Sequence, residues 1–159
     1  MVKEIKVFLG IPHRLKNDKN RLIRKIESIS MYDKIKFKVL CAANDSPQTG
    51  VSKDQIFNRN IELIKSSDIF VAYLINYGKD LTAEVGMSYA WDMPRVGIGP
   101  INHKDIEKDV MSYYSLQKII SEGELEDFFS MIINNLYNFL GKNKIDKSEL
   151  KSFILNLLG

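Results

Sequence analysis

Residues 67–91 read SDIFVAYLINYGKDLTAEVGMSYAW. Asp68 to Leu74 is almost wholly apolar, as a strand is when helices cover both faces of its sheet. A polar loop follows. The segment from about Asp80 to Met93 then reads as a helix that stops before Pro94. It carries a carboxylate, Glu84, near its start. A buried strand feeding a helix through a short loop is the unit from which parallel α/β sheets are built.

The same unit recurs on both sides. Ile5 to Leu9 is a first buried strand, ending at Gly10-Ile11-Pro12. Asn20 to Tyr32 has Leu22, Ile26 and Ile29 at helical spacing. Phe37 to Ala43 is a second strand, and Asn44 to Gly50 is a turn-rich loop. Gln55 to Ser66 is a helix with Phe57, Ile61 and Ile64 on one stripe. Val96 to Ile98 is a fourth strand, and a short fifth is expected near Val110 to Tyr114. Two helices close the chain, Leu125 to Leu140 and Lys147 to Leu158. The last has an apolar stripe of Leu150, Phe153, Ile154, Leu157 and Leu158, suited to its own core or to a dimer contact. The expected architecture is an α/β three-layer sandwich with a parallel five-stranded sheet and an added C-terminal helix. Ligands of such folds sit at the carboxyl ends of the strands. That gathers Gly10 to Arg14, Asn44 to Gly50 and Ile75 to Glu84 around one crevice.

The chain has 159 residues, 45% of them hydrophobic and 27% charged. Those values suit one globular domain over residues 1–159. A net charge of +3 arises from 23 Lys+Arg against 20 Asp+Glu, spread without a stripe. A nucleic-acid polymer is therefore not the expected partner, although phosphorylated small ligands suit the excess. The single cysteine, Cys41, excludes an intrachain disulfide and a multi-cysteine zinc site. His13 and His103 make no metal-ligand cluster, and no metal is expected. No apolar run reaches the ~20 residues of a membrane span. A soluble cytoplasmic protein without membrane contact is the expectation.

Three faces can be drawn on the helix that bears Glu84. Ala83, Gly86 and Ala90 form a small-residue stripe suited to close approach to the sheet. Leu81, Val85 and Tyr89 form an apolar stripe beside it. Glu84, Ser88 and Trp91 form the third, where a carboxylate, a hydroxyl and an aromatic would meet a polar ligand with a flat ring. With Asp80 or Thr82 as N-cap, Glu84 falls in or just after the first turn. There the helix dipole favours its ionised form by ~0.3–1 kcal/mol, which suits a nucleophile. Simple dipole complementarity would select the same residue.

These residues resemble the nucleoside 2-deoxyribosyltransferase family, including the related deoxynucleoside monophosphate N-glycosidases. The resemblance spans about Ile5 to Phe129. It is carried by Ser67 to Ala72, Leu81-Thr82-Ala83-Glu84-Val85-Gly86 and Tyr89-Ala90. Phe8 to Pro12 resembles the family's first strand and glycine-rich turn. Asp109-Val110-Met111-Ser112 resembles a segment that a neighbouring subunit inserts into the site. The resemblance implies a flavodoxin-like fold and a homodimer or higher homo-oligomer with shared active sites. It implies a deoxynucleoside or deoxynucleotide and a free nucleobase as partners, and no cofactor. Glu84 would attack the anomeric carbon and form a covalent deoxyribosyl-enzyme, which a second base or water would resolve, as in retaining glycoside hydrolysis.

The chain departs from the family in three places. Asn60 stands where the family has an Asp that handles the base and its proton. The loop before Glu84 lacks an Asp-x-Gly-Thr form, with Asp80 displaced. Asp109 stands where the family has Asn. Asp80 or Asp109 could supply the missing acid.

Further candidates surround Glu84. His13 and Arg14 could bind a phosphate, Arg14 as a bidentate partner, or simply be a solvated loop. Ser88 and Ser112 match in type the hydroxyls with which relatives hold one. Phe8, Tyr77 and Trp91 could stack on a base or belong to the core. Gln48 could read a base edge, and Gly10 suits close approach. Asp68 and Cys41 read as structural. Two other readings stay open: a TIR-like NAD glycohydrolase, which also places a Glu after a central strand, and a nucleotide-binding module without chemistry.

Overall fold

β4 (Ile69–Tyr73) runs through the middle of the sheet, and all of its residues are buried. The computed structural model describes residues 4–31, 35–46, 48–100, 108–140 and 146–159. Beside β4 stand β1 (Glu4–Gly10), β3 (Ile35–Leu40), β5 (Arg95–Gly99) and β6 (Lys118–Ser121), with a two-residue strand β2 (Ser30–Met31). Their order is β2-β3-β1-β4-β5-β6. β3, β1, β4, β5 and β6 pair in parallel, and β2 joins β3 antiparallel. The five parallel strands have the flavodoxin-like order, whose switch point lies between β1 and β4.

Alternation along the strands assigns the two layers. Ile5, Val7 and Leu9 of β1 and Ile69, Val71 and Tyr73 of β4 face α1 (Lys16–Glu27), α6 (Leu125–Leu140) and α7 (Lys147–Leu158). Phe8, Phe70 and Ala72 face the other layer, which holds α3 (Lys53–Lys65), α4 (Lys79–Ala90) and α5 (Val110–Ser115). Fully burying side chains such as Phe129, Ile132 and Ile154 contributes about 1.5–3 kcal/mol each before entropy is counted. Among the described residues no helix is long and apolar enough to cross a membrane.

Several local expectations are corrected. α1 starts four residues before Asn20 and ends at Glu27, because Ser28 closes it by donating to Arg24 and Lys25 carbonyls. Ser30 and Met31 then pair with β3, while Tyr32 lies outside the described residues. The second parallel strand begins at Ile35 and stops at Leu40 rather than Ala43. Beyond it the chain winds one turn of helix, α2 (Ala42–Asp45), because the Asp45 carboxylate accepts the Cys41 N–H at 2.8 Å. No strand forms at Val110 to Tyr114. Asp109 caps that segment as helix α5, its carboxylate accepting the Ser112 N–H at 3.3 Å. The fifth parallel strand is Lys118–Ser121.

The C-terminal helix packs on its own chain. Leu150, Ile154 and Leu158 are buried in the first layer's core. Asp146 opens α7 with a capping box, and the Lys147 ammonium donates to Asp68 at 3.1 Å. Asp68 also accepts the Lys6 N–H at 2.7 Å, so its carboxylate ties α7 to the start of β4.

Candidate active site

Gly10 is the last residue of β1, and alternation turns its missing side chain toward α4. A Cβ there would stand 2.5 Å from Leu81 Cδ1, 3.0 Å from Glu84 Oε2 and 3.3 Å from Phe70 Cζ. The absence of that one carbon lets Glu84 settle over the carboxyl end of the sheet.

α4 presents different faces from those expected. Leu81, Val85 and Ser88 are buried against the sheet, whereas Ala83, Gly86 and Ala90 face outward. The large apolar pair excludes more water than the small stripe would, and it fills the space over Phe70 and Ala72. Ser88 is fully buried, its hydroxyl donating to the Val85 carbonyl at 2.7 Å. Trp91 closes the helix, with Lys65 4.7 Å above its ring and Lys151 bonded to its carbonyl. Glu84 alone of its expected face lines the crevice.

The cap differs as well. Gly78 is the N-cap and makes no side-chain cap bond, so neither Asp80 nor Thr82 opens the helix. Glu84 is then the sixth helical residue, beyond the first turn over which the dipole acts. Burial dominates instead: together with the nearby charge of Asp80, it pushes the Glu84 carboxyl up to about 7. A carboxyl of this kind is half protonated at neutral pH, so the expected dipole-favoured ionisation is overridden.

A cavity of about 790 Å³ opens between α3 and α4 at the switch point, within the usual range for small-molecule sites. It gathers Phe8, Gly10, His13, Arg14, Asn60, Asp80 and Glu84. Ile56, Phe57, Ile61, Ile64, Leu81 and Met87 give it apolar walls. Phe8 is buried and stacked on Phe70 at 5.7 Å, so it forms floor rather than a free stacking plate. Arg14 donates to the Asn76 carbonyl, which ties the β1–α1 loop to the β4–α4 loop. The Asn60 Oδ1 is buried with no hydrogen-bond partner among the described residues.

Gln48, Ser88, Asp109 and Ser112 do not line this cavity. Gln48 spends its amide on the Ala42 and Ser46 carbonyls, clasping its own loop. Asp109 accepts the Tyr77 hydroxyl at 2.8 Å. Burial works against that carboxylate, but the bonds from Tyr77 and Ser112 outweigh it and hold its pKa below the usual range. Burial and the bond to Asp109 push the Tyr77 phenol up to about 12. Ser112 is buried beneath the cap. Cys41 is buried, and desolvation raises its thiol, so it stays neutral. His103 lies outside the described residues.

Sequence reasoning missed Lys53 and Lys79, the first residues of α3 and α4, which both line the cavity. A signal existed for Lys53. Ser52-Lys53-Asp54-Gln55 is a capping box, with Gln55 accepting the Ser52 N–H at 3.0 Å, and it starts α3 two residues before Gln55.

Fold and site together define a flavodoxin-like α/β domain with a half-buried carboxyl at its switch-point cavity. No protein-family model matches the chain, and no curated protein matches it. Solved structures do. A conserved protein from Enterococcus faecalis V583 superposes with a TM-score of 0.59 at 14% identity, over 79% of this chain and 95% of that one. The 2-deoxyribosyltransferase of the psychrotolerant bacterium Bacillus psychrosaccharolyticus superposes with a TM-score of 0.54 at 20% identity, over 76% of this chain and 90% of that one. These similarities show a common fold.

Proposed function

We infer that the chain is an enzyme that cleaves or transfers at the N-glycosidic bond of 2-deoxynucleosides or their 5′-monophosphates. The observation that carries this reading is Glu84, a carboxyl seated over Gly10 in a largely apolar cavity at the switch point, with Asp80 nearby. The shared fold with a 2-deoxyribosyltransferase supports it. In this reading one Glu84 oxygen bonds to the anomeric carbon. The C–N electron pair leaves with the base, which takes a proton from solvent. A second base or water then bonds to the anomeric carbon, releases its proton to solvent, and frees the Glu84 carboxylate. The apolar walls exclude water from the charge that develops on the sugar.

Asn60 remains at the base end as a hydrogen-bonding group. A carboxamide holds a base edge but gives it no proton, so its neutrality favours substrates whose base leaves readily. The same neutrality favours a second reading, a nucleotide-binding module without chemistry.

Self-association is part of the proposal. Val110, Met111 and Tyr114 leave an apolar face on α5 that is 57–75% exposed, which supports a homo-oligomer.

The test is chromatography of bases released from deoxynucleosides and their monophosphates, with and without acceptor base. Turnover by the wild type and its loss in Glu84→Ala support the reading. Equal release by both removes Glu84 from the mechanism, and tight binding without any turnover favours the inert module.

A further inference from the structure

α3 and α4 meet at their C-terminal ends and part toward their first turns. Lys65, the last residue of α3, stands 4.7 Å above the ring of Trp91, the C-cap of α4. Ile64 is fully buried, and the Ser66 and Ser67 hydroxyls both donate to the Leu63 carbonyl at 2.9 Å. Ser67 leads into Asp68, whose N–H donates to the Lys6 carbonyl of β1 at 2.7 Å. That end of α3 is pinned to the sheet. The cavity begins where these contacts stop, lined from Ile64 back to Lys53 on one helix and from Met87 back to Gly78 on the other.

The rest of α3 stands off the sheet. Ile64 is the one buried residue of its 13, although Ile56, Phe57, Ile61 and Ile64 make an apolar stripe. A helix in such a layer ordinarily presses that stripe onto the strands, as α4 does with Leu81 and Val85. Here the stripe faces the cavity, and Phe57 is left 56% exposed. Lys36 and Lys38, which alternation turns from β3 into the same layer, are exposed too, so α3 does not cover them. Among the described residues, the side-chain hydrogen bonds of residues 52–62 close within the helix and its cap. Gln55 accepts the Ser52 N–H, and Arg59 pairs with Glu62. Gly50, just before that cap, has a φ of 74° and open space around it.

Such a helix is a lever on a fixed pivot. The run from Lys53 to Ile64 is about 16 Å long at 1.5 Å per residue, so a rotation of about 10° carries its start by about 3 Å. Closure over an unfilled cavity would leave a void whose lining atoms lack partners. A ligand supplies those partners, and Ile56, Phe57 and Ile61 are then buried against it. The free chain therefore favours the open position, and a ligand draws it closed through contacts that only the closed position offers.

We propose that α3 is a lid that pivots on Ile64 to Ser67 and swings its first turns toward α4 when a ligand fills the cavity. The proposal rests on the glycosidic reading only for the identity of that ligand. In that reading, closure expels water from around Glu84 before the C–N bond breaks.

Amide exchange without ligand tests the pivot, and a label distance tests the closure. Residues 57–62 should exchange at least tenfold faster than residues 83–88, which occupy the same turns of α4. Asp54→Cys and Gly86→Cys, both at exposed positions, carry spin labels in a Cys41→Ala/Glu84→Gln background, with folding checked by circular dichroism. The probes are 2′-deoxyadenosine and 2′-deoxycytidine, their binding followed by calorimetry. A bound nucleoside should shorten the mean label distance by about 3 Å. Exchange in residues 57–62 as slow as in residues 83–88 overturns the lid, as does a bound nucleoside that leaves the distance unchanged. Fast exchange with no binding of either nucleoside supports the lid while counting against the nucleoside reading of Glu84.

Discussion

Glu84 Oε2 would lie 3.0 Å from a β-carbon at Gly10. The carboxyl therefore occupies space that any other residue at that position would claim. The substitution Gly10→Ala tests how much this seat matters. Its methyl meets Leu81 Cδ1 at 2.5 Å, so the Leu81 side chain, or α4 with it, must shift. Overpacking of this kind costs about 1–3 kcal/mol. The expected result is a lower melting temperature and a loss of turnover on the order of 10²-fold, since small misplacements of reacting groups have effects of that size. Unchanged turnover would show that the seat does not position Glu84.

Activity should rise with pH through neutrality. A nucleophilic Glu84 works only when ionised, and its pKa stands at about 7. The acid limb of turnover against pH should have its midpoint near that value. A limb centred near 4.5, the ordinary carboxyl value, would mean that the free site does not bury Glu84 as described.

Stability should carry the opposite sign. Glu84 has a raised pKa in the folded chain, so the folded state holds its proton longer than the unfolded one. Stability is lost as pH rises from about 4.5 to about 7, where the unfolded state alone is ionised, and stays low above that range. Glu84→Gln removes the ionisation. Its melting temperature should exceed the wild type's at pH 8, with the gap closing at pH 5. A gap that is constant with pH would locate the effect in packing rather than charge.

Tyr77 and Asp109 join the loop before α4 to the cap of α5. Tyr77→Phe deletes the donor to a half-buried carboxylate that keeps its bond from Ser112, at a cost of about 0.5–1.5 kcal/mol. Amide exchange over residues 75–81 should quicken, while β1 stays protected. Unaltered exchange would mean that the bond does not hold the loop.

Asn60→Asp places a proton donor on the base side of the cavity. General-acid help is worth about 10²–10⁴-fold where geometry allows. Base release on the acid side of the profile should increase by about tenfold or more. A decrease would show that the carboxamide itself is what the base requires.

Much of this fold was readable from apolar pattern alone. β4 and the last two helices have long, unbroken signals, and α6 and α7 span the residues their stripes indicated. Val110 to Tyr114 misled because β-branched and aromatic residues favour strands, while a single cap at Asp109 decided for helix. The meeting of Gly10 and Glu84 at the cavity was readable because backbone fixes it. The site was not readable where rotation of a helix decides. Ser88 shares a stripe with Glu84 on paper, yet α4 turns it into the core because Leu81 and Val85 bury more area. The Gln48 side chain was claimed by local bonds that no spacing reveals.

The most direct measurement is intact-protein and peptide mass spectrometry after incubation with a deoxynucleoside or its 5′-monophosphate and no acceptor base. A deoxyribosyl or deoxyribosyl-phosphate adduct on the peptide containing Glu84, absent from Glu84→Gln, is the predicted result. Turnover with no adduct on that peptide, or an adduct that persists in Glu84→Gln, would contradict Glu84 as the nucleophile.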